Sequence, residues 1–484
     1  MRKDFRDIFR LTAFCVSACA LLISCEGTFV RDGATPSGGD PSSGDPYGSI
    51  FEQQEGTVEQ GADHDYNGST DTTYYPDDTY SDEVLSSDSS GGYSDGDPAP
   101  HSDTATASDS YASSDSSVVP DSDPGSSEDG PEIPGESDIQ PGQVTASEWN
   151  DLNNWEEWIA LLDDEFSFYE TAWGFVTRDR IPVQVVDGAG SPIADAETEL
   201  SCEQEGIVWR ARTDVAGHAD LFSGVAGVPA AGPCKVVARY YEKSASSAKI
   251  NSPVTTPIAL TLNTVEQERD LLDLMLLFDT TGSMSDELEY IKAEMKDVIL
   301  RVKENEAKQL RVRLSLNFYR DEGDEYVVLP FPFSEDIDEA VTILAAQSAN
   351  GGGDMPEAVH TAFLSAVDHH EWSAEARMRL LFWIHDAPPH EFPEVIESLQ
   401  GTIARAAAKG IRIIPVAASG ADKNEEFVAR SFDILTGGTY VFITDDSGIG
   451  GEHGEPSGEV EAGVEYLNDL IVRLIGEYLS GENR

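Results

Sequence analysis

Two hydrophobic periods alternate along the second half of the chain. "LLDLMLLFD" (271–279) is a continuous apolar run, as a strand buried on both faces requires. "SDELEYIKAEMKDVILRVKENE" then places Leu288, Ile291, Met295, Val298 and Val302 on one helical face. "RVRLSLNFYR", "YVVLPF", "MRLLFWIHD", "IRIIPVAAS" and "TYVFIT" read as further strands. "EDIDEAVTILAAQ", "PEAVHTAFLSAV", "EVIESLQGTIARAAAKG" and the end of the chain from Val460 read as helices, with one more helix before "TYVFIT". This alternation over 265–484 predicts a doubly wound, mostly parallel α/β sheet. Ligands of such sheets bind at the carboxyl ends of the strands.

Upstream the period changes to two. Residues 179–264 alternate apolar and polar positions around turns at "DGAGSP" and "DVAGH", which predicts a small all-β sandwich. Before it, 146–178 holds Trp149, Leu152, Trp155, Trp158, Leu161 and Leu162 at helical spacing, with Ser147 as N-cap. This segment is expected to be a helical connector whose tryptophans pack on the following domain.

Composition changes the picture of the N-terminal part. The 484 residues carry a net charge of −59, and no Lys or Arg occurs from Asp32 to Glu148. A stretch so rich in Ser, Asp, Gly and Pro buries too little apolar surface to offset its ordering entropy. Residues 25–145 are therefore expected to form a disordered acidic tether, extended by self-repulsion. The acidic remainder excludes nucleic acid as a partner, since phosphate backbones need a basic surface, and suits divalent cations.

The first residues, "MRKDFRDIFR", are basic, and about 14 mostly apolar residues follow, fewer than the ~20 a bilayer span needs. That is the layout of a secretory signal peptide over 1–24. Its end, Leu22-Ile23-Ser24-Cys25, resembles the bacterial lipobox. The resemblance implies cleavage before Cys25, acylation of its sulfur (palmitate among the chains) and a membrane lipid anchor. Glu26 in place of aspartate favours the outer membrane, with the periplasmic or external face open. Cys15 and Cys19 leave with the signal. Cys202 and Cys234 remain as an even pair in an oxidising compartment and are expected to form a disulfide.

The candidate chemistry lies at three strand ends. Asp279, Thr281 and Ser283 stand at alternate positions after "LLDLMLLF". "GGGDMPE" places Asp354 before a helix, and "WIHDAPPH" places Asp386 after a strand. Carboxylates plus hydroxyls, completed by water, match the oxygen shell of Mg²⁺. These three loops resemble the von Willebrand factor type A (vWA) family and its metal-ion-dependent adhesion site (MIDAS). The resemblance implies a Rossmann-like fold, a divalent cation (Mg²⁺ first, Mn²⁺ or Ca²⁺ as alternatives) and a protein ligand whose acidic side chain completes the shell. Thr281 and Ser283 would coordinate directly, and Asp279 and Asp386 directly or through water. Asp354 stands where familiar members carry threonine, and His385 replaces the threonine before Asp386; its ring is expected to pack in the sheet. "VxDGAGSPIADAxxxL" and "TDVAGHADLF" similarly resemble carboxypeptidase-regulatory-like (transthyretin-like) β-sandwiches, usually spacers or binding platforms.

Enzymatic readings fare worse. "FDTTGS" resembles an aspartic-protease motif, but an extra threonine separates Asp279-Thr280 from Gly282, and no second such motif supplies the dyad partner. Asp368-His369-His370 superficially matches a phosphoesterase motif, yet it ends a helix, where histidine suits the dipole. The expectation is a non-enzymatic, cation-dependent adhesion lipoprotein. A scaffold component of an envelope or secretion assembly, with a purely structural metal, is the alternative; a metallohydrolase is disfavoured.

Overall fold

The computed structural model describes residues 139–484, apart from 226–231, 251–253, 306–309, 354, 455, 459–462 and 483–484. The signal segment, Cys25, the acidic stretch up to 138 and Asp354 lie outside the described residues.

The chain opens with β1 (Thr145–Trp149), α1 (Trp155–Asp163) and α2 (Ser167–Trp173). Seven short strands follow: β2 (Arg180–Asp187), β3 (Glu197–Cys202), β4 (Gly206–Arg212), β5 (His218–Phe222), β6 (Cys234–Tyr240), β7 (Lys243–Ser246) and β8 (Ile258–Leu262). The remainder alternates β9 (Leu271–Asp279), α3 (Leu288–Asn305), β10 (Arg311–Tyr319), β11 (Val328–Pro330), α4 (Ile337–Ala345), α5 (Val359–Asp368), β12 (Met378–His385), α6 (Pro393–Lys409), β13 (Ile411–Ala417), α7 (Lys423–Thr436), β14 (Tyr440–Ile443), β15 (Glu465–Tyr466) and α8 (Leu467–Ser480).

The large sheet runs β11-β10-β9-β12-β13-β14-β1-β15. Strands β10, β9, β12, β13 and β14 are mutually parallel, while β11, β1 and β15 pair antiparallel at the margins. β9 explains why its sequence is apolar throughout. Met275 and Leu277 face one core with α5, α6 and α7; Leu272, Leu274, Leu276 and Phe278 face the other with α3, α4 and α8. The strand order reverses between β9 and β12, which opens a crevice at their carboxyl ends.

The start of the described chain departs from expectation. Residues 145–149 are a strand, not a helix: Ala146 pairs with Ile443 and Trp149 with Tyr440. Ser147 caps nothing; its hydroxyl donates to Gly463 O at 3.1 Å. The helix begins only at Trp155, after a turn through "NDLNN". Trp158 packs on Phe166 and on Phe427 of α7, so this segment attaches chiefly to the α/β unit. A buried Arg430 pairs with Asp151 at 2.6 Å and fixes the same junction.

Residues 180–262 form two small sheets, β5-β2-β8 and β4-β3-β6-β7. Their inner residues, among them Val183, Leu221, Leu200 and Val236, share one apolar core with α6 and α7. Cys202 and Cys234 face each other across β3 and β6 and form the expected disulfide. Asp195 ties this unit to the amino end of β12 through Arg379, at 2.9 Å. The small sheets thus attach at the end of the large sheet opposite the crevice.

Candidate metal centre

Asp279 is the last residue of β9 and is fully buried. Thr281 donates to Asp279 Oδ1 twice, from its amide at 2.8 Å and from its hydroxyl at 2.6 Å. Ser283 Oγ lies 3.1 Å from Thr281 Oγ1. Thr280 points the other way: its hydroxyl bonds Tyr319 O and Tyr326 OH, both at 2.9 Å. The alternation in "DTTGS" therefore gathers one carboxylate and two hydroxyls on one side, before a 3-10 turn at Gly282–Asp286 leads into α3.

β12 is the parallel neighbour of β9, with Ile384 level with Phe278. This register brings Asp386, just past the strand, beside the loop of Asp279. Ser283 is near enough to the Asp386 carboxylate to favour its charged form. Asp279, Thr281, Ser283 and Asp386 are thus together at the switch point of the sheet. Two buried carboxylate oxygens there, Asp279 Oδ2 and Asp386 Oδ1, have no partner at hydrogen-bond geometry among the described residues, although the Tyr319 hydroxyl is near enough to Asp279 to favour its charged form.

A third acid, Glu357, borders the same place and was not singled out from the sequence. It is nearly fully buried. Burial, together with Asp279, Asp321, Asp386 and Asp324, pushes its pKa up to about 9. Burial and Asp279 push Asp386 to about 8, against the influence of Ser283. Burial likewise raises Asp279, against its bonds from Thr281. Desolvated carboxylates at one locus resist joint ionisation, and a cation reverses that preference. The donors therefore fit a hard dication. Among the described residues no three side chains of His, Cys, Asp and Glu lie close enough to share one metal ion. A complete shell thus needs the hydroxyls of Thr281 and Ser283, and water.

The surroundings hold the loops in place. His385 is buried, stacks on Trp383 with ring centres 3.6 Å apart and bonds Glu425 through Nδ1. Burial lowers His385 to about 3 and raises Glu425. The ring packs in the sheet. Arg320 donates to Thr280 O at 3.1 Å and to Ser348 O at 3.0 Å, bracing the first loop. Asp321 pairs with His390 at 2.9 Å rather than with Arg320. Beyond β14, the loop through Asp445 folds back so that His453 bridges Asp445 at 2.8 Å and Glu287 at 3.2 Å. Asp368 ends α5 and pairs with Arg405 and Lys409, away from the crevice.

Comparison with known proteins places one family match within the α/β unit. The family model of the von Willebrand factor A domain matches residues 273–433, from within β9 to within α7. The putative ariadne-like RING finger protein R811 of Acanthamoeba polyphaga mimivirus is 27% identical over 120 residues, 25% of this chain and 11% of that protein. This chain therefore spans about a tenth of that relative. The crystal structure of the conserved hypothetical protein BatB from Bacteroides thetaiotaomicron aligns with a TM-score of 0.30 and 13% identity, covering 43% of this chain and 99% of that one. The family match supports a von Willebrand factor A domain at 273–433, a kind of module that generally serves adhesion or scaffolding rather than catalysis.

Proposed function

We propose that the protein is a lipid-anchored envelope lipoprotein whose α/β domain binds a partner protein, or a glycan, with the help of a divalent cation. The observation that carries this reading is the pair of buried oxygens without a partner at hydrogen-bond geometry, Asp279 Oδ2 and Asp386 Oδ1, at adjoining strand ends beside two hydroxyls. Thr281 and Ser283 supply neutral oxygens, and Asp279 and Asp386 supply charge. Thr281 also fixes Asp279 through two hydrogen bonds, so the carboxylate meets a ligand already oriented. When bound, the cation (Mg²⁺ first, Mn²⁺ or Ca²⁺ as alternatives) supplies a Lewis-acidic position that an acidic side chain of the partner completes. Anchoring through Cys25, with outer-membrane placement, is proposed from the lipobox-like sequence alone.

A scaffold role with a purely structural cation is the second reading. The shared core and the Asp195–Arg379 link, which join the small sheets firmly to the α/β unit, favour it. A pull-down from envelope extracts separates the two. Adhesion predicts that captured partners are lost with EDTA and with Asp279→Ala while the circular dichroism spectrum is retained. Capture that survives both treatments contradicts it and favours the scaffold.

A further inference from the structure

The middle loop of the site carries an acid, Glu357, one of whose carboxylate oxygens has no hydrogen-bond partner among the described residues. Glu357 follows Pro356, and its amide donates to Pro388 O at 2.9 Å. Glu357 and Pro389 form an isolated parallel bridge, which ties the middle loop to the loop that carries Asp386. The side chain is only 2% exposed, and Oε2 has no hydrogen-bond partner. A Cβ built on Gly352 would stand 3.2 Å from Glu357 Oε1 and 3.3 Å from Thr281 Cβ. The carboxylate and Thr281, which holds Asp279, therefore flank the same glycine. A buried carboxylate oxygen without a donor calls for a partner the chain does not supply, such as water or an ion.

We propose that Glu357 is the third carboxylate of the metal site and acts on the cation through a bound water. The proposal rests on the cation reading above. An outer position follows because no three acidic or histidine side chains among the described residues lie close enough to share one ion. Partners of this kind, which hold metal-bound water or orient ligands, strongly influence metal affinity. With Asp279 and Asp386, Glu357 brings the site's formal charge to −3 against a dication. That favours resting occupancy and weakens the pull on an incoming carboxylate.

The test is isothermal titration of Mg²⁺ and Mn²⁺ into the full chain, as wild type, Glu357→Gln and Asp279→Ala, with thermal melts in EDTA and in excess metal. Glu357→Gln is expected to weaken Mg²⁺ binding by about tenfold or more. It should raise the melting temperature in EDTA and shrink the rise that metal brings. A merely structural glutamate gives the opposite: a lower melting temperature in EDTA and unchanged affinity. Wild-type affinity in Glu357→Gln overturns the proposal. Should that variant fail to fold, Glu357→Asp decides, with a several-fold loss expected and no loss refuting. Failure of the wild type to bind either metal, or binding unchanged in Asp279→Ala, overturns the underlying cation reading instead.

Discussion

Asp195→Asn tests how firmly the small sheets are joined to the α/β unit. Asp195 is 5% exposed and accepts from Arg379 at 2.9 Å, from Arg212 at 3.3 Å and from Arg269. Arg379, second in β12, is itself 4% exposed, so removing the carboxylate takes away the counter-charge of a buried guanidinium and leaves it only the carbonyls of Ser373 and Ala374. Breaking such a pair costs about 3–5 kcal/mol. Arg212 and Arg269 are better solvated, which places the expected loss near the lower end, about 3 kcal/mol. Asparagine keeps the shape and tolerates the left-handed backbone at φ 55°. Asp195→Ala should cost a further ~1 kcal/mol for that backbone. Urea denaturation, followed by circular dichroism and by tryptophan fluorescence, should show a lower midpoint with an unchanged slope. The pH dependence has a definite sign. Burial alone would raise the Asp195 pKa, but Arg379, Arg212 and Arg269 outweigh it and hold it below the usual value. Its contribution is therefore complete above the unfolded pKa and is lost as pH falls through the lower folded one. Wild type and variant should converge only in acid. A loss below about 0.5 kcal/mol at neutral pH, within the range of ordinary surface substitutions, refutes the assignment.

The disulfide and two glycines give further tests. Cys202 and Cys234 are 32 residues apart, and the chain-entropy model assigns such a crosslink about 4 kcal/mol. The double serine variant should lose most of this in urea titration, and a loss under about 1 kcal/mol counts against the bond as a stabilising staple. A Cβ on Gly438 would lie 1.8 Å from Ile413 O, so Gly438→Ala must push the α7–β14 turn away from β13 and cost about 3 kcal/mol. Gly476 stands within α8 with nothing inside 4 Å, so Gly476→Ala should instead stabilise by up to ~1 kcal/mol. Equal melting temperatures for these two variants would refute the packing argument.

The readable parts of this protein are those whose signal is local. β9 announced itself because both its faces are covered, and α3 because Leu288, Ile291, Met295, Val298 and Val302 all face one core. Asp279, Thr281 and Ser283 were legible because a loop converts alternate positions into one side. Asp386 needed only a strand end. The misread segment is instructive. β1 is five residues long, and its partner β14 lies almost 300 positions away, so nothing local opposed the helical spacing of tryptophans. Propensity lost there to a long-range ladder. Glu357 escaped for a similar reason. In sequence it is one acid among many, and its burial beside the loop of Asp386 shows only in the fold. The attachment of the small sheets through Asp195 is likewise invisible without the fold, since Arg379 stands 184 positions away.

The central claim is that Asp279 anchors a dication at the switch point of the sheet. Calorimetric titration of Mg²⁺ into the wild type and Asp279→Ala, both shown to be folded by circular dichroism, tests it most directly. The account predicts one saturable site per chain in the wild type and its loss in the variant, with only the weak, unsaturable binding of an acidic chain left. Saturable binding of equal affinity in both proteins, or in neither, contradicts it.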